Sequence, residues 1–278
     1  MKYKLLALDV DGTLLDERQR IPPQTIEAIA EADAAGLRVC IATGRSYIET
    51  IPVWRQLRLA APYEPMVLIG GALVSEPDTG RTLYQRTISR DLAREYGDAL
   101  MSAGYSAMAI VDAWRHGVDY YLAEGPDAER VQRMWFDKMN VNIRRVPRLM
   151  ADGEPPVLRI NAVAPPDDAA ILSSELARRF AGRLHVHSIY APNYEVTVVE
   201  AFAATASKWN AILYVAQAMR IGPGQIAAVG DDVNDLPMIR EAGLGAAMPS
   251  APPAVKAAAK RVVEPSLAHF IRGIVAEA

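Results

Sequence analysis

A single cysteine, Cys40, occurs in 278 residues, which excludes an intrachain disulfide framework. No run of about 18 apolar residues is present, so no membrane-spanning helix is expected. Met1-Lys2-Tyr3-Lys4 leads into a short strand-like run and then acidic residues, without the long apolar region of a signal peptide, so a cytoplasmic location is expected. Excess positive charge is also missing. The formal net charge of −3 provides no field for nucleic acid or an anionic membrane, and neither partner is expected. Internal repeats and low-complexity tracts are absent. Gly222-Pro223-Gly224 fits neither a dinucleotide fingerprint nor a Walker loop and reads as a helix-to-strand turn.

What is present is an ordinary globular composition, 51% apolar and 23% charged, enough for a sizeable core. The length exceeds one usual domain and predicts a core carrying an insertion. Apolar Leu5 to Leu8 reads as a buried strand, followed by a helix entered at Pro22-Pro23 and stopped at Gly36. Strands follow at Arg38 to Ala42 and Met66 to Ile69, with a helix through the fifties capped by Ser46. A helix capped by Ser207, a strand at Ile226 to Val229 and a helix from about Asn234 repeat this rhythm. It predicts an α/β fold, a Rossmann-like doubly wound parallel sheet with right-handed crossovers. The middle of the chain lacks the alternation. A hairpin turn at Asp78-Thr79-Gly80, helices near Ser89 to Ala103, Asp127 to Met139 and Asp167 to Phe180, and strand-like runs between them predict an inserted α+β module. The expected organisation is a core of residues 1–82 and 191–278 with an insertion at 83–190.

The chemistry concentrates where core strands end. Asp9-Val10-Asp11-Gly12-Thr13 places two carboxylates after a buried strand, at the usual ligand position of open α/β sheets. Two such carboxylates repel unless a proton or cation intervenes. Bound Mg²⁺ would resolve the conflict and polarise a phosphoryl oxygen. Thr43-Gly44-Arg45, Lys208 and Gly230-Asp231-Asp232-Val233-Asn234-Asp235 lie at further strand ends or helix starts. Phosphoryl transfer needs a cation, donors around the phosphate, an in-line nucleophile and an acid for the leaving oxygen. Asp9 and Asp231 could hold Mg²⁺, while Lys208 and the Thr43 hydroxyl bind phosphate, leaving carboxylates for attack and proton transfer.

In this order the segments resemble the haloacid dehalogenase superfamily of phosphohydrolases, and the insertion resembles the type IIB cap of Cof-like sugar-phosphate phosphatases. The resemblance implies that Asp9 is the nucleophile, forming an aspartyl phosphate, and that Asp11 is the acid and base. It implies metal contacts from Asp9, the Asp11 backbone carbonyl and Asp231, with Asp235 in support of the metal or Lys208. Thr43, Gly44, Arg45, Lys208 and Asn234 would bind phosphate or substrate. An acid/base contribution of about 10²- to 10⁴-fold makes Asp11 worth roughly 3 to 5 kcal/mol of barrier. Two positions depart from the pattern: Gly70 where relatives carry asparagine, and Trp209 where they carry a small residue.

The expected function is Mg²⁺-dependent hydrolysis of a small phosphorylated metabolite, a sugar phosphate first, by a monomer or small homo-oligomer. The alternatives are a sugar phosphomutase and a non-catalytic phosphometabolite-binding protein. Plainer roles stand beside each residue: turn carboxylates for Asp9 and Asp11, helix N-terminal acids for Asp231 and Asp235, and a solvent-facing Asp232. Cys40 reads as core, and His185 with His187 as the polar face of a strand in preference to a zinc site.

Overall fold

In the computed structural model, residues 2–151, 153–191 and 194–277 are described. The strands are β1 (Leu5–Leu8), β2 (Arg38–Ile41), β3 (Met66–Leu68), β4 (Leu73–Ser75), β5 (Thr82–Gln85), β6 (Ala107–Val111), β7 (Tyr120–Ala123), β8 (Ile143–Val146), β9 (Val157–Ala164), β10 (Leu184–Ala191), β11 (Val196–Ala203), β12 (Ile226–Gly230), β13 (Leu244–Ala247) and β14 (Arg261–Val262). The helices are α1 (Pro23–Ala34), α2 (Tyr47–Trp54), α3 (Arg90–Ser102), α4 (Ala113–His116), α5 (Ala128–Met134), α6 (Pro166–Arg179), α7 (Lys208–Ala218), α8 (Leu236–Glu241), α9 (Pro253–Ala258) and α10 (Leu267–Ala276). The chain divides into two units: Met1–Tyr84 with Ser207–Ala278, and Gln85–Ala206.

The first unit contains a parallel five-stranded sheet in the order β14-β13-β12-β1-β2. A strand buried on both faces must be apolar on both, and β1 shows it. Leu6 and Leu8 face a core with Ile29 of α1 and Ile271 of α10. Leu5 and Ala7 face a second core with Ile212 and Val215 of α7 and Ile239 of α8. Helices therefore cover both faces, the doubly wound arrangement. Ala42 bridges to Val67 in parallel, which brings the antiparallel ribbon β3-β4-β5 against the β2 side. Between β4 and β5 the Asp78-Thr79-Gly80 turn closes with the Glu76 N–H donating to the Arg81 carbonyl at 2.9 Å. Within the same unit, the Tyr214 hydroxyl of α7 donates to the Leu83 carbonyl of β5 at 3.0 Å. The Tyr84 and Tyr214 rings lie 4.8 Å apart.

The second unit is a six-stranded sheet ordered β10-β11-β9-β6-β7-β8, antiparallel except where β8 joins β7. Period-two alternation sorts its faces. Ala109, Ile160, Ala162, Val199 and Ala201 pack with Tyr96 and Leu100 of α3 and Leu172, Leu176 and Phe180 in and after α6. On the opposite face the register sets His187 beside Glu200 and Glu200 beside Asn161. There Glu200 is paired with Arg159 at 3.0 Å and with His187 Nε2 at 2.9 Å, so His187 belongs to a polar network on a strand face.

The expected second boundary at 190/191 differs from the observed one at 206/207. β11 is antiparallel to both β10 and β9, so its backbone groups are satisfied within the inserted sheet. The helix expected at 127–139 is shorter: α5 stops at Met134 and a 3₁₀ turn, Phe136–Lys138, follows.

Candidate active site

β1, β2 and β12 end together because they are parallel and in register, so their following loops meet at one edge. After Leu8, the Asp9 N–H extends the ladder by donating to the Val229 carbonyl at 3.0 Å. The chain then makes a wide turn, Val10–Leu14, in which Gly12 has φ 70. A Cβ on Gly12 would lie 2.1 Å from Asp231 Oδ2. Only glycine allows the first acidic loop to approach the Asp231 carboxylate this closely.

Lys208 is the first residue of α7, whose N-terminus is capped by Ser207 Oγ accepting the Asn210 N–H at 3.1 Å. A Cβ on Gly71 would fall 2.1 Å from the Ser207 carbonyl oxygen, so the loop after β3 lies directly against the start of α7. The buried Lys208 ammonium donates to Asp9 Oδ1 at 2.7 Å and to Asp235 Oδ1 at 2.6 Å. Asp235 also accepts the N–H groups of Asp231 and Asp232 on Oδ2, at 3.0 and 3.2 Å. Both of its oxygens are thus committed to protein donors.

The electrostatics follow from this burial. Desolvation raises the Asp9 carboxyl well above the ordinary range; Lys208 pulls it down, and Asp235 and Asp231 push it up. Burial and the Asp235 charge push Asp231 up to about 7. Burial opposes the charge on Lys208, but Asp235 and Asp9 hold its pKa above the ordinary value. Asp9, Asp231 and Asp235 each offer an oxygen within 4.8 Å of the others, a hard carboxylate set suited to Mg²⁺. Two further polar atoms, Thr13 Oγ1 and Asn234 Oδ1, are buried without a protein partner, as expected where a ligand or its waters would bind.

Thr43 follows β2. Its N–H donates to the Val67 carbonyl at 2.9 Å, and its hydroxyl accepts the Arg45 N–H at 3.1 Å. Gly44 lies in an open turn, where a Cβ would meet nothing within 4 Å. Arg45, expected on phosphate or substrate, makes a planar fork on Asp11: Nε donates to Oδ2 at 2.8 Å and Nη2 to Oδ1 at 2.5 Å. The same Nη2 donates to Gln19 Oε1 at 2.9 Å. Sequence reasoning passed over Gln19, which belongs to no motif. Asp232 accepts the Val233 N–H at 2.6 Å as a cap. Trp209, 7% exposed, packs in the α7 core. Gly70 has φ 61, and Cys40 is buried with its thiol pushed up to about 12 by desolvation.

The sequence profile of the haloacid dehalogenase-like hydrolases matches residues 6–269. The chain is 28% identical over 283 residues to a 5-amino-6-(5-phospho-D-ribitylamino)uracil phosphatase of Bacillus subtilis, covering 98% of this chain and 97% of the relative. It is 25% identical over 279 residues to a pyridoxal phosphate phosphatase of Escherichia coli, covering 98% of each. Among solved structures, a subclass IIB sugar phosphatase of the superfamily superposes with a TM-score of 0.74 at 23% identity, over 98% of both chains. With its profile match spanning nearly the whole length, the chain belongs to the haloacid dehalogenase-like hydrolases.

Proposed function

We propose that the protein is a Mg²⁺-dependent phosphomonoester hydrolase that acts on a small phosphorylated metabolite, a sugar phosphate first, through an aspartyl phosphate on Asp9. The observation that carries this reading is the Lys208 ammonium held between Asp9 and Asp235 in a buried site whose carboxylates crowd together. Asp9 and Asp231, with the Asp11 carbonyl, would hold the metal. Bound Mg²⁺ supplies charge neutralisation and polarises the phosphoryl oxygens. Asp235 serves from behind, because both of its oxygens are engaged by Lys208 and the 231–232 backbone.

In the reaction, Lys208 orients Asp9 and attracts the phosphoryl group, and the Thr43 hydroxyl and the N–H groups of the Val10–Leu14 turn add donors. Asp9 attacks phosphorus while Asp11 protonates the leaving oxygen. Asp11 then takes a proton from the water that hydrolyses the acyl phosphate, dividing one difficult step into two. The inserted unit acts as the cap that selects the leaving group. Its relatives' substrates, a ribitylaminouracil phosphate and pyridoxal phosphate, support a compact polar monoester.

The test is phosphate release from a panel of sugar phosphates, nucleotides and phosphorylated cofactors, with Mg²⁺ or chelator, using wild type and Asp9→Asn. Turnover that requires Mg²⁺ and disappears in Asp9→Asn, with phosphate affinity retained, is expected. A folded wild type inactive across the panel would sink the reading.

A further inference from the structure

The loop that follows the Asp9–Thr13 turn closes on itself. Asp16 N–H donates to the Arg20 carbonyl and Gln19 N–H to the Asp16 carbonyl, both at 2.9 Å. Asp16 Oδ1 accepts the N–H groups of Arg18 at 2.9 Å and Arg20 at 3.0 Å. Within this loop Gln19 holds φ 57, the left-handed region that side chains other than glycine occupy at a cost of about 1–2 kcal/mol. Gln19 is exposed, so core burial does not offset that cost. The strained backbone coincides with one side-chain contact: Oε1 accepts from Arg45 Nη2, the nitrogen that also donates to Asp11 Oδ1.

A carboxyl group turns freely about its Cβ–Cγ bond unless both oxygens are held. The Arg45 fork takes one lone pair on each oxygen and leaves the other for the proton, but a guanidinium on a long stem must itself be fixed. A neutral amide oxygen fixes it without competing for its charge as a carboxylate would. This gives the third donor direction of the fork a use.

We propose that Gln19 is a positioning residue for the acid/base chemistry of Asp11, acting through Arg45; the inference rests on the hydrolase reading above. In the first half-reaction the bond between phosphorus and the leaving oxygen breaks. Its electron pair stays on that oxygen, which takes the Asp11 proton, as a bond forms between phosphorus and an Asp9 oxygen. In the second half-reaction water attacks phosphorus and gives a proton to Asp11, and the electrons of the Asp9–phosphorus bond return to the carboxylate. An alkoxide leaving group needs the proton in the transition state, whereas a nitrophenolate departs without it. Misplacing Asp11 therefore penalises alkyl monoesters selectively in kcat/KM, which reports on the first half-reaction.

The test variant is Gln19→Gly, because glycine adopts this φ without strain and the loop should fold at least as well. kcat/KM is measured with the best alkyl phosphate of the wild type and with 4-nitrophenyl phosphate, with Mg²⁺ and with melting checked. The expected result is a fall of about tenfold on the alkyl ester, the lower end for one hydrogen bond to a charged group, and of less than about twofold on the nitrophenyl ester. Arg45→Lys, which replaces the fork by a point charge, should widen the same split. Equal losses on both esters, or no loss on either, would overturn the proposal while leaving a turning-over wild type as a hydrolase. A wild type inactive on both esters would sink the hydrolase reading and this inference with it.

Discussion

Replacing Lys208 by methionine keeps the stem and removes the charge. The ammonium bridges Asp9 and Asp235 at 2.7 and 2.6 Å, and these side chains are 6% and 0% exposed. Neither carboxylate can rotate out to water. Removing one partner of a buried ion pair costs about 3–5 kcal/mol. At about 2–4 °C per kcal/mol for a unit of this size, the melting temperature should fall by roughly 6–20 °C in chelator near pH 8. The loss should shrink on acidification. The Asp9 carboxyl is already raised above its ordinary value by burial and by Asp235 and Asp231, with Lys208 opposing. Without Lys208 the folded state therefore keeps a proton where the unfolded state has lost it. The folded state then binds more protons, and stability falls as pH rises through that window. Calorimetric melts from about pH 5 to 8 would measure the slope, which should be steeper in the variant. Lys208→Met with Asp235→Asn should recover much of the loss, because one of the two repelling charges is gone. If Lys208→Met melted like wild type at both ends of the pH range, the bridge would carry no stabilisation and the electrostatic account of the site would fail.

If Asp231 is a ligand as proposed, Mg²⁺ affinity should depend on pH, because its carboxyl, pushed up to about 7 by burial and Asp235, would have to release its proton. Titration calorimetry should show affinity falling by up to about tenfold per pH unit below that value. A flat profile would contradict an Asp231 carboxyl raised by burial and Asp235. Gly12→Ala should weaken Mg²⁺ binding and lower stability by more than about 1 kcal/mol, since the new Cβ meets Asp231 Oδ2 in a left-handed turn. Unchanged melting and metal titration would contradict the close approach.

The acidic motifs were legible because the chemistry demands particular residue types at strand ends, and the period of the apolar runs places those ends. Partners of long side chains were less legible. Arg45 reads equally well as a phosphate ligand, and only the fold brings Asp11, 34 positions away, within reach of its fork. Gln19 carried no signal, since a left-handed backbone is readable from sequence at glycine but not at glutamine. Residues 196–203, read as no particular element, fell in the expected core by the boundary alone; an apolar run states that a strand is buried without stating which sheet completes its hydrogen bonds. Glu200, in the middle of that run, was the available hint: a buried acid needs a nearby cation, and Arg159 is on β9. β8 escaped notice because Arg144 and Arg145 interrupt a four-residue edge strand.

The contact of Gly71 with the Ser207 carbonyl, together with the Tyr214 hydroxyl on Leu83, bears on how freely the insertion can change. The helix on which the chain returns to the first unit also carries Lys208, and it is fastened there by residues that precede the departure at Tyr84. An exchange or deletion of the segment between Tyr84 and Ser207 would leave those fastenings in place. The inserted unit can thus be exchanged without moving the Lys208 ammonium from its place between Asp9 and Asp235.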